Sequence, residues 1–191
     1  MQQTQLQGDL SQRLTSVCSN GKFKIQNLYK KMVPEYSKIA WRGVMQHPSV
    51  HPRFRFILWL AMQRRLATVE RLMKIGITVP AECVFCKQAK ETFNHLYFEC
   101  SITSRLWAKM CKWLGYTRNI GDWECELMWI STIAKSRKGI NGITCCIFAM
   151  MVVVIWRERN RGKFEQKKYD EQQICREMVQ HVHVRGKKQS K

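Results

Sequence analysis

The sequence predicts a mainly α-helical domain organised around a cluster of three cysteines and one histidine, with a short N-terminal strand or hairpin. The 191 residues are 45% apolar and include seven Trp and eight Phe, which is enough to bury a core. Several segments repeat apolar residues at helical spacing and end near Gly or Pro. The cluster itself lies in one stretch, residues 83–100.

The elements before the cluster are short. A strand or turn is predicted at Phe23 and Ile25, followed by a helix that Pro34 ends. A short amphipathic helix is predicted at 37–46. The next segment, 54–66, is apolar on all sides between arginines, so we expect a buried helix whose arginines project only at its tips.

A short helix then runs from Thr68 to Leu72. We expect Thr68 to be its N-cap and Gly76 to end it. After the cluster, helical spacing predicts helices at 96–114, which Gly115 ends, and at 123–134. A last amphipathic helix is predicted within 165–184, followed by a frayed basic end.

The segment 139–156 has two interpretations. Its eighteen residues carry no charge, which is the threshold length for a transmembrane helix. Asn141, Thr144 and two glycines weaken that interpretation, and basic clusters on both sides give no orientation. We favour a core helix that packs against the helices carrying Trp59 and Trp107.

These elements predict four regions. They are a flexible lead at 1–20, a domain at 21–115 that contains the cysteine cluster, a helical extension packed on it at 116–165, and a basic tail at 166–191.

The formal charge of +19 favours partners with negative charge, either nucleic acid or an anionic membrane surface. Residues 1–82 carry 13 Lys and Arg against 4 Asp and Glu, and residues 135–191 carry 14 against 5. Residues 83–134 carry 6 against 5. The cluster is therefore nearly neutral between two basic flanks.

The start of the chain lacks the apolar core of a secretory signal. Nine cysteines without such a signal indicate reduced thiols rather than a disulfide framework. We therefore expect a nuclear or cytoplasmic protein that is not secreted.

The cysteine cluster has the ligand types and spacing of a zinc knuckle. Cys83 and Cys86 form a C-x2-C pair, and His95 and Cys100 form an H-x4-C pair. Zinc accepts thiolate and imidazole, and a closed set of four ligands without an open position is structural rather than catalytic. The alternative is a chance cluster of buried cysteines in a cysteine-rich chain. The sequence favours one structural zinc ion.

Residues 95 and 100 lie five positions apart. In a regular helix that separation is roughly 140°, so the two side chains would not face one ion. We therefore expect a break or tight turn near 96–100.

The cluster belongs to a wider pattern of residues. Outside the cluster this pattern consists of Gly21, Phe23, Ile25, Tyr29, Trp41, Pro52, Phe54, Phe56, Trp59, Ala61, Leu66, Thr68, Arg71, Leu72, Gly76, Glu91, Leu96 and Trp107, with a weaker match at Trp156, Arg159 and Asn160. With these residues the sequence resembles the zinc-binding domain of plant non-LTR retrotransposon reverse transcriptases. Met45 departs from the family, which usually has a second tryptophan there.

The resemblance implies an accessory, nucleic-acid-binding role beside a reverse transcriptase that is encoded elsewhere. It also suggests a detached or host-resident fragment of such an element. The chain has only three aspartates, Asp9, Asp122 and Asp170, and no paired catalytic aspartates. A two-metal phosphoryl-transfer site needs such carboxylates, so we expect no enzyme activity.

Phosphate contacts are expected on the basic flanks, because three thiolates and one Zn²⁺ leave the knuckle with net negative charge. Arginine is suited to bind phosphate bidentately. The alternative is that several of these residues cap carbonyls or pair with Glu70 and Glu158. The candidates for contact with DNA or RNA are Arg53, Arg55, Arg64, Arg65, Arg71, Lys74, Arg157, Arg159, Arg161 and Lys163.

A second class of function stays open at this point. The domain could be a zinc-stabilised protein-interaction module whose basic flanks only provide solubility. A membrane-anchored protein is a third and less favoured interpretation. Steep salt dependence of nucleic-acid binding would separate the first class from the second.

Overall fold

Seven α-helices and one π-helical turn make up most of the described part of the computed structural model, which covers residues 18–19, 22–23, 25, 39–136 and 139–189. The predicted helical class is confirmed. The helices are α1 Arg42–Gln46, α2 Pro52–Met62, α3 Val69–Lys74, α4 Ser101–Trp113, α5 Trp123–Ile133, α6 Gly139–Phe164 and α7 Glu171–Gln189, and the π-helical turn is His95–Glu99.

The chain divides into two units, residues 1–38 and 39–191. In the first unit, β1 (Cys18–Ser19) pairs antiparallel with β2 (Lys22–Phe23). The predicted strand or hairpin through Ile25 stays a prediction, because most of its neighbours lie outside the described residues. The helix predicted before Pro34 also lies outside them.

The short helices α1, α2 and α3 occur in the predicted order. The structure differs from the prediction in the burial of α2 and in the capping of α3. Phe56 of α2 is 66% exposed, so this helix is not buried on all sides as expected. Its buried face is Phe54, Leu58, Ala61 and Met62.

Thr68 precedes α3 with extended backbone, but within the described residues its side chain makes no capping hydrogen bond. The predicted N-cap position is confirmed, but the hydrogen bond expected from the Thr68 side chain is not formed. Gly76 ends the helix as predicted: its φ of 79° is left-handed, and Ile77 N donates to Leu72 O at 3.0 Å.

The long helix α6 forms the centre of the second unit. It packs against α2, α4, α5 and α7, and fourteen of its residues are buried. The predicted packing against the helices of Trp59 and Trp107 is confirmed, with the Trp107 and Phe148 ring centroids 5.7 Å apart. By length and composition α6 could also cross a membrane, but 67% of its most apolar window is buried in the fold.

The last two helices differ from the predicted bounds. Helix α6 continues to Phe164, beyond the predicted end at 156. Helix α7 begins at Glu171 because Asp170 caps it, with its carboxylate accepting from Gln172 N at 2.8 Å and from Gln173 N at 3.0 Å. It extends to Gln189, so most of the predicted basic tail is helical. The predicted domain boundaries themselves stay a prediction.

An aromatic cluster joins the π-helical turn to this core. Phe93, Tyr97 and Phe98 pack around Trp123, with ring centroids 4.8–5.7 Å from it. Trp107 Nε1 donates to the fully buried Glu126 at 2.8 Å. The residues between His95 and Cys100 are therefore held in the hydrophobic core.

Candidate metal centre

The first two cysteines lie on a tight turn between two short extended segments. Glu82 and Lys90 form an isolated antiparallel bridge, and Cys83 N donates to Ala89 O at 2.8 Å. Lys87 N donates back to Cys83 O at 3.0 Å, with Lys87 in the left-handed region at φ 59°. This closed turn aims the Cys83 and Cys86 side chains toward one point.

The second pair is presented by the π-helical turn. The helical residues 93–94 that lead into this turn follow Thr92, whose Oγ1 accepts from His95 N at 3.0 Å. Cys100 N then donates to His95 O at 2.8 Å, five residues back. A π-helical turn takes in more residues than an α-turn, which brings positions 95 and 100 to the same side. The predicted break near 96–100 is confirmed in this form.

The ligand atoms of Cys83, Cys86, His95 and Cys100 all lie within 4.8 Å of one another. Cys83 Sγ and Cys100 Sγ are 3.9 Å apart, and Cys86 Sγ and His95 Nε2 are 3.3 Å apart. A tetrahedral zinc site has ligand–ligand edges of about 3.5–3.8 Å, given Zn–S and Zn–N bonds of about 2.3 and 2.0–2.1 Å. The four residues therefore fit a single zinc ion.

Two of the four candidate ligands are in direct contact with one another. The Cys83 thiol donates to Cys100 Sγ, and this contact raises the pKa of Cys83 and lowers the pKa of Cys100. Both side chains are fully buried. Thiolates rather than thiols bind zinc, so metal binding would release protons from these cysteines.

The comparison with protein families points to the same chemistry. Residues 23–107 match the family described as zinc-binding in reverse transcriptase. This match and the Cys3His group together fit a reverse transcriptase zinc-binding domain. The match contains all four cluster residues, so zinc is confirmed as the cofactor that this site can hold. No curated protein and no solved structure gave a significant match to the chain.

One residue beyond the matched segment, Arg159, is joined to the knuckle loop by a buried ion pair. Glu91, directly after the knuckle turn, is 1% exposed, and Arg159 of α6 is 3% exposed. Arg159 Nη2 donates to Glu91 Oε1 at 2.7 Å, and its Nε reaches both carboxylate oxygens at 3.0 and 3.2 Å. Arg159 also lies 5.0 Å from the Trp156 ring centroid.

Glu91 also supplies the cap that Thr68 was expected to give. Its Oε1 accepts from Val69 N at 3.0 Å, at the first turn of α3. One carboxylate therefore ties the knuckle loop, α3 and α6 together. Glu91 and Arg159 are both among the residues that carry the family resemblance in the sequence. Their pairing could not be predicted there, because they lie 68 residues apart in the chain.

The first predicted set of basic residues is largely exposed. Arg71 Nη1 donates to Arg64 O at 3.4 Å, so Arg64, Arg65 and Arg71 lie together at the junction of α2 and α3. We call these three residues the basic corner. Arg53 is exposed beside Phe54, whereas Arg55 is half-buried and donates to Val50 O at 3.4 Å.

Two members of this set have carboxylate partners. Arg64 pairs with Glu124 and Lys74 pairs with Glu70, at 2.8 and 2.7 Å. The pairing of Lys74 with Glu70 agrees with the alternative prediction that some of these basic residues form ion pairs within the protein.

The second predicted set is mostly engaged within the fold. Arg157 pairs with Glu158 and Glu177, and Arg161 also pairs with Glu158. Lys163 Nζ donates to Pro80 O at 2.8 Å and to Glu82 O at 3.0 Å, and burial lowers its pKa. The prediction that Arg159 contacts phosphate is wrong, because its guanidinium is buried and paired with Glu91. Whether the others bind nucleic acid stays a prediction.

Proposed function

We propose that this chain is a non-catalytic module in which one structural zinc ion orders a nucleic-acid-binding surface. The family match of residues 23–107 supports a zinc-binding module. A closed Cys3His set offers a zinc ion four protein ligands and no position for a substrate, which is the arrangement of a structural site.

The observation that carries the proposal is the basic corner. Arg64, Arg65 and Arg71 are exposed and adjacent, and within the described residues Arg65 and Arg71 have no carboxylate partner. Guanidinium groups bind phosphate oxygens in a planar, bidentate way. Such contacts position a protein on nucleic acid without specifying its sequence.

The zinc ion would act on this corner indirectly. The corner adjoins α3, and α3 is capped by Glu91 from the knuckle loop. Family likeness also supports derivation from a retrotransposon element and a partnership with a reverse transcriptase encoded elsewhere. In that setting the module would hold DNA or RNA near the polymerase.

We expect Arg65→Glu with Arg71→Glu to weaken nucleic-acid binding uniformly across sequences and to flatten its salt dependence. Each phosphate contact adds about 0.9 to the slope of log K against log salt on duplex DNA. The measurement is fluorescence anisotropy with labelled oligonucleotides between 50 and 200 mM salt, a range of about fourfold chosen for the steep dependence of such contacts.

The matched control is Lys112→Glu with Lys135→Glu, which makes the same change in charge at exposed lysines away from the corner. Arg64 is left intact because its loss would unpair Glu124. Equal losses from both pairs would contradict the assignment of the corner. Binding that does not weaken with salt would instead favour the protein-interaction module.

A further inference from the structure

A cavity of about 670 Å³ lies beside the zinc knuckle. One wall is the knuckle turn, with Val84, Phe85 and Lys87. The facing wall is the segment between α6 and α7, with Lys167, Lys168 and Tyr169. We call this cavity the knuckle groove. Its volume is that of an ordinary ligand site.

The groove walls are fixed to one another. At Gly162 of α6 an added Cβ would lie 3.4 Å from Val84 Cβ, so helix and turn are in close contact. The Phe85 and Tyr169 rings pack edge to face with centroids 5.3 Å apart. Since Phe85 lies between Cys83 and Cys86, the shape of the groove depends on the turn that holds the metal ligands.

The charges that line the groove leave it basic. Lys87, Lys167 and Lys168 are exposed. The two lining carboxylates are already compensated: Glu158 by Arg157 and Arg161, and Glu171 by Arg105 and Lys109. Hydrogen bonds from Arg105 and Lys109 hold the pKa of Glu171 below its usual value. Lys167 also has a partner, Glu165 at 2.8 Å, but both are well exposed, and such pairs are weak.

The groove does not end at this cavity. A second concavity of about 290 Å³ shares Glu158 and Lys168 with it and continues along α7. Its basic residues Arg157, Arg161 and Lys168 are balanced by Glu158, Asp170 and Glu177. The excess of positive charge is therefore confined to the knuckle groove itself.

We propose that the knuckle groove binds single-stranded nucleic acid, with phosphates along Lys87, Lys167 and Lys168 and a base against Tyr169. Positive grooves with aromatic side chains are the usual means of binding single strands, because every base offers a face for stacking. A duplex hides those faces between its own base pairs. This proposal rests on the proposed function and assigns it a second surface and a strand preference.

The test uses a labelled 12-nucleotide single strand, as DNA and as RNA, and the duplex of the same sequence. Tyr169→Leu should weaken single-strand binding by on the order of tenfold, because stacking on one aromatic ring contributes about that much. The affinity for the duplex should change by about twofold or less, which is a smaller free-energy change than the loss of one stacking contact. Tyr169→Phe should bind single strands like the unaltered chain, since it keeps the ring.

Lys167→Ala with Lys168→Ala should flatten the salt dependence of single-strand binding, and Lys112→Ala with Lys135→Ala is the charge-matched control. Zinc content is measured for each variant to show that the knuckle is intact. Unaltered single-strand binding in both groove variants, with loss in the basic-corner variant, would overturn this proposal but not the proposed function. Equal weakening of duplex and single strand by Tyr169→Leu would overturn the strand preference. Absence of all binding by the unaltered chain would overturn both proposals.

Discussion

Replacing Arg159 by Met is expected to destabilise the protein by about 3–5 kcal/mol, because it leaves the Glu91 carboxylate buried without its partner. Glu91 and Arg159 are 1% and 3% exposed and joined by three hydrogen bonds. The measurement is the free energy of unfolding in urea on zinc-loaded protein. The backbone amide of Val69 donates a hydrogen bond to Glu91. Hydrogen exchange at this amide should therefore become faster.

The double variant Glu91→Gln with Arg159→Met separates charge from packing. A glutamine at position 91 carries no charge but can still accept a hydrogen bond from Val69 N. The double variant should therefore be more stable than Arg159→Met alone. Arg65→Met, at an exposed arginine, is the control and should change stability by about 0.5 kcal/mol or less. Similar losses from Arg65→Met and Arg159→Met would show that the buried pair does not organise the knuckle.

The second large effect is expected from Cys86→Ser. This change removes one of four zinc ligands, and structural zinc contributes directly to folding free energy, with apparent binding values of about 10–16 kcal/mol in small zinc domains. Hydrogen-exchange protection should fall across residues 80–105, where the knuckle turn and the π-helical turn depend on the metal. The helices α5 and α6 should stay largely formed, because their contact with one another does not involve the knuckle.

Cys125→Ser is the matched control. Cys125 is exposed on α5 and lies outside the four-residue cluster. This variant should keep the zinc content and the exchange pattern of the unaltered chain. Unchanged protection across 83–100 in Cys86→Ser would contradict a folding role for the metal.

The sequence was informative where the physical signal is local. Helical spacing predicted α4, α5 and the buried part of α6, and the five-residue separation of His95 and Cys100 predicted a departure from regular helix. Ligand type and spacing predicted the Cys3His group, because all four residues lie within one short stretch of chain. Each of these signals lies within one turn or one helix.

The wrong predictions concern contacts between distant segments. Thr68 has the sequence of a cap, but a carboxylate from the knuckle loop occupies that role. Arg159 looked like an exposed cation, but its partner Glu91 lies 68 residues away. Phe56 looked buried because its neighbours are apolar, yet no local pattern states which side of α2 faces the core.

The residues of the knuckle groove were missed for a similar reason. The basic and aromatic run Lys167, Lys168 and Tyr169 is visible in the sequence. Nothing local shows that it faces Phe85 and Lys87 of the knuckle turn across one cavity. The only signal in the sequence is the run itself, two lysines followed by a tyrosine.

The most direct test of the central claim, a structural zinc ion held by Cys83, Cys86, His95 and Cys100, is zinc X-ray absorption combined with elemental analysis of protein purified without chelator. The structure predicts one zinc ion per chain, bound by three sulfur atoms at about 2.3 Å and one nitrogen at about 2.0–2.1 Å, with no oxygen ligand. Protein that is folded with no stoichiometric zinc, or a zinc ion that keeps a bound water, would contradict this account.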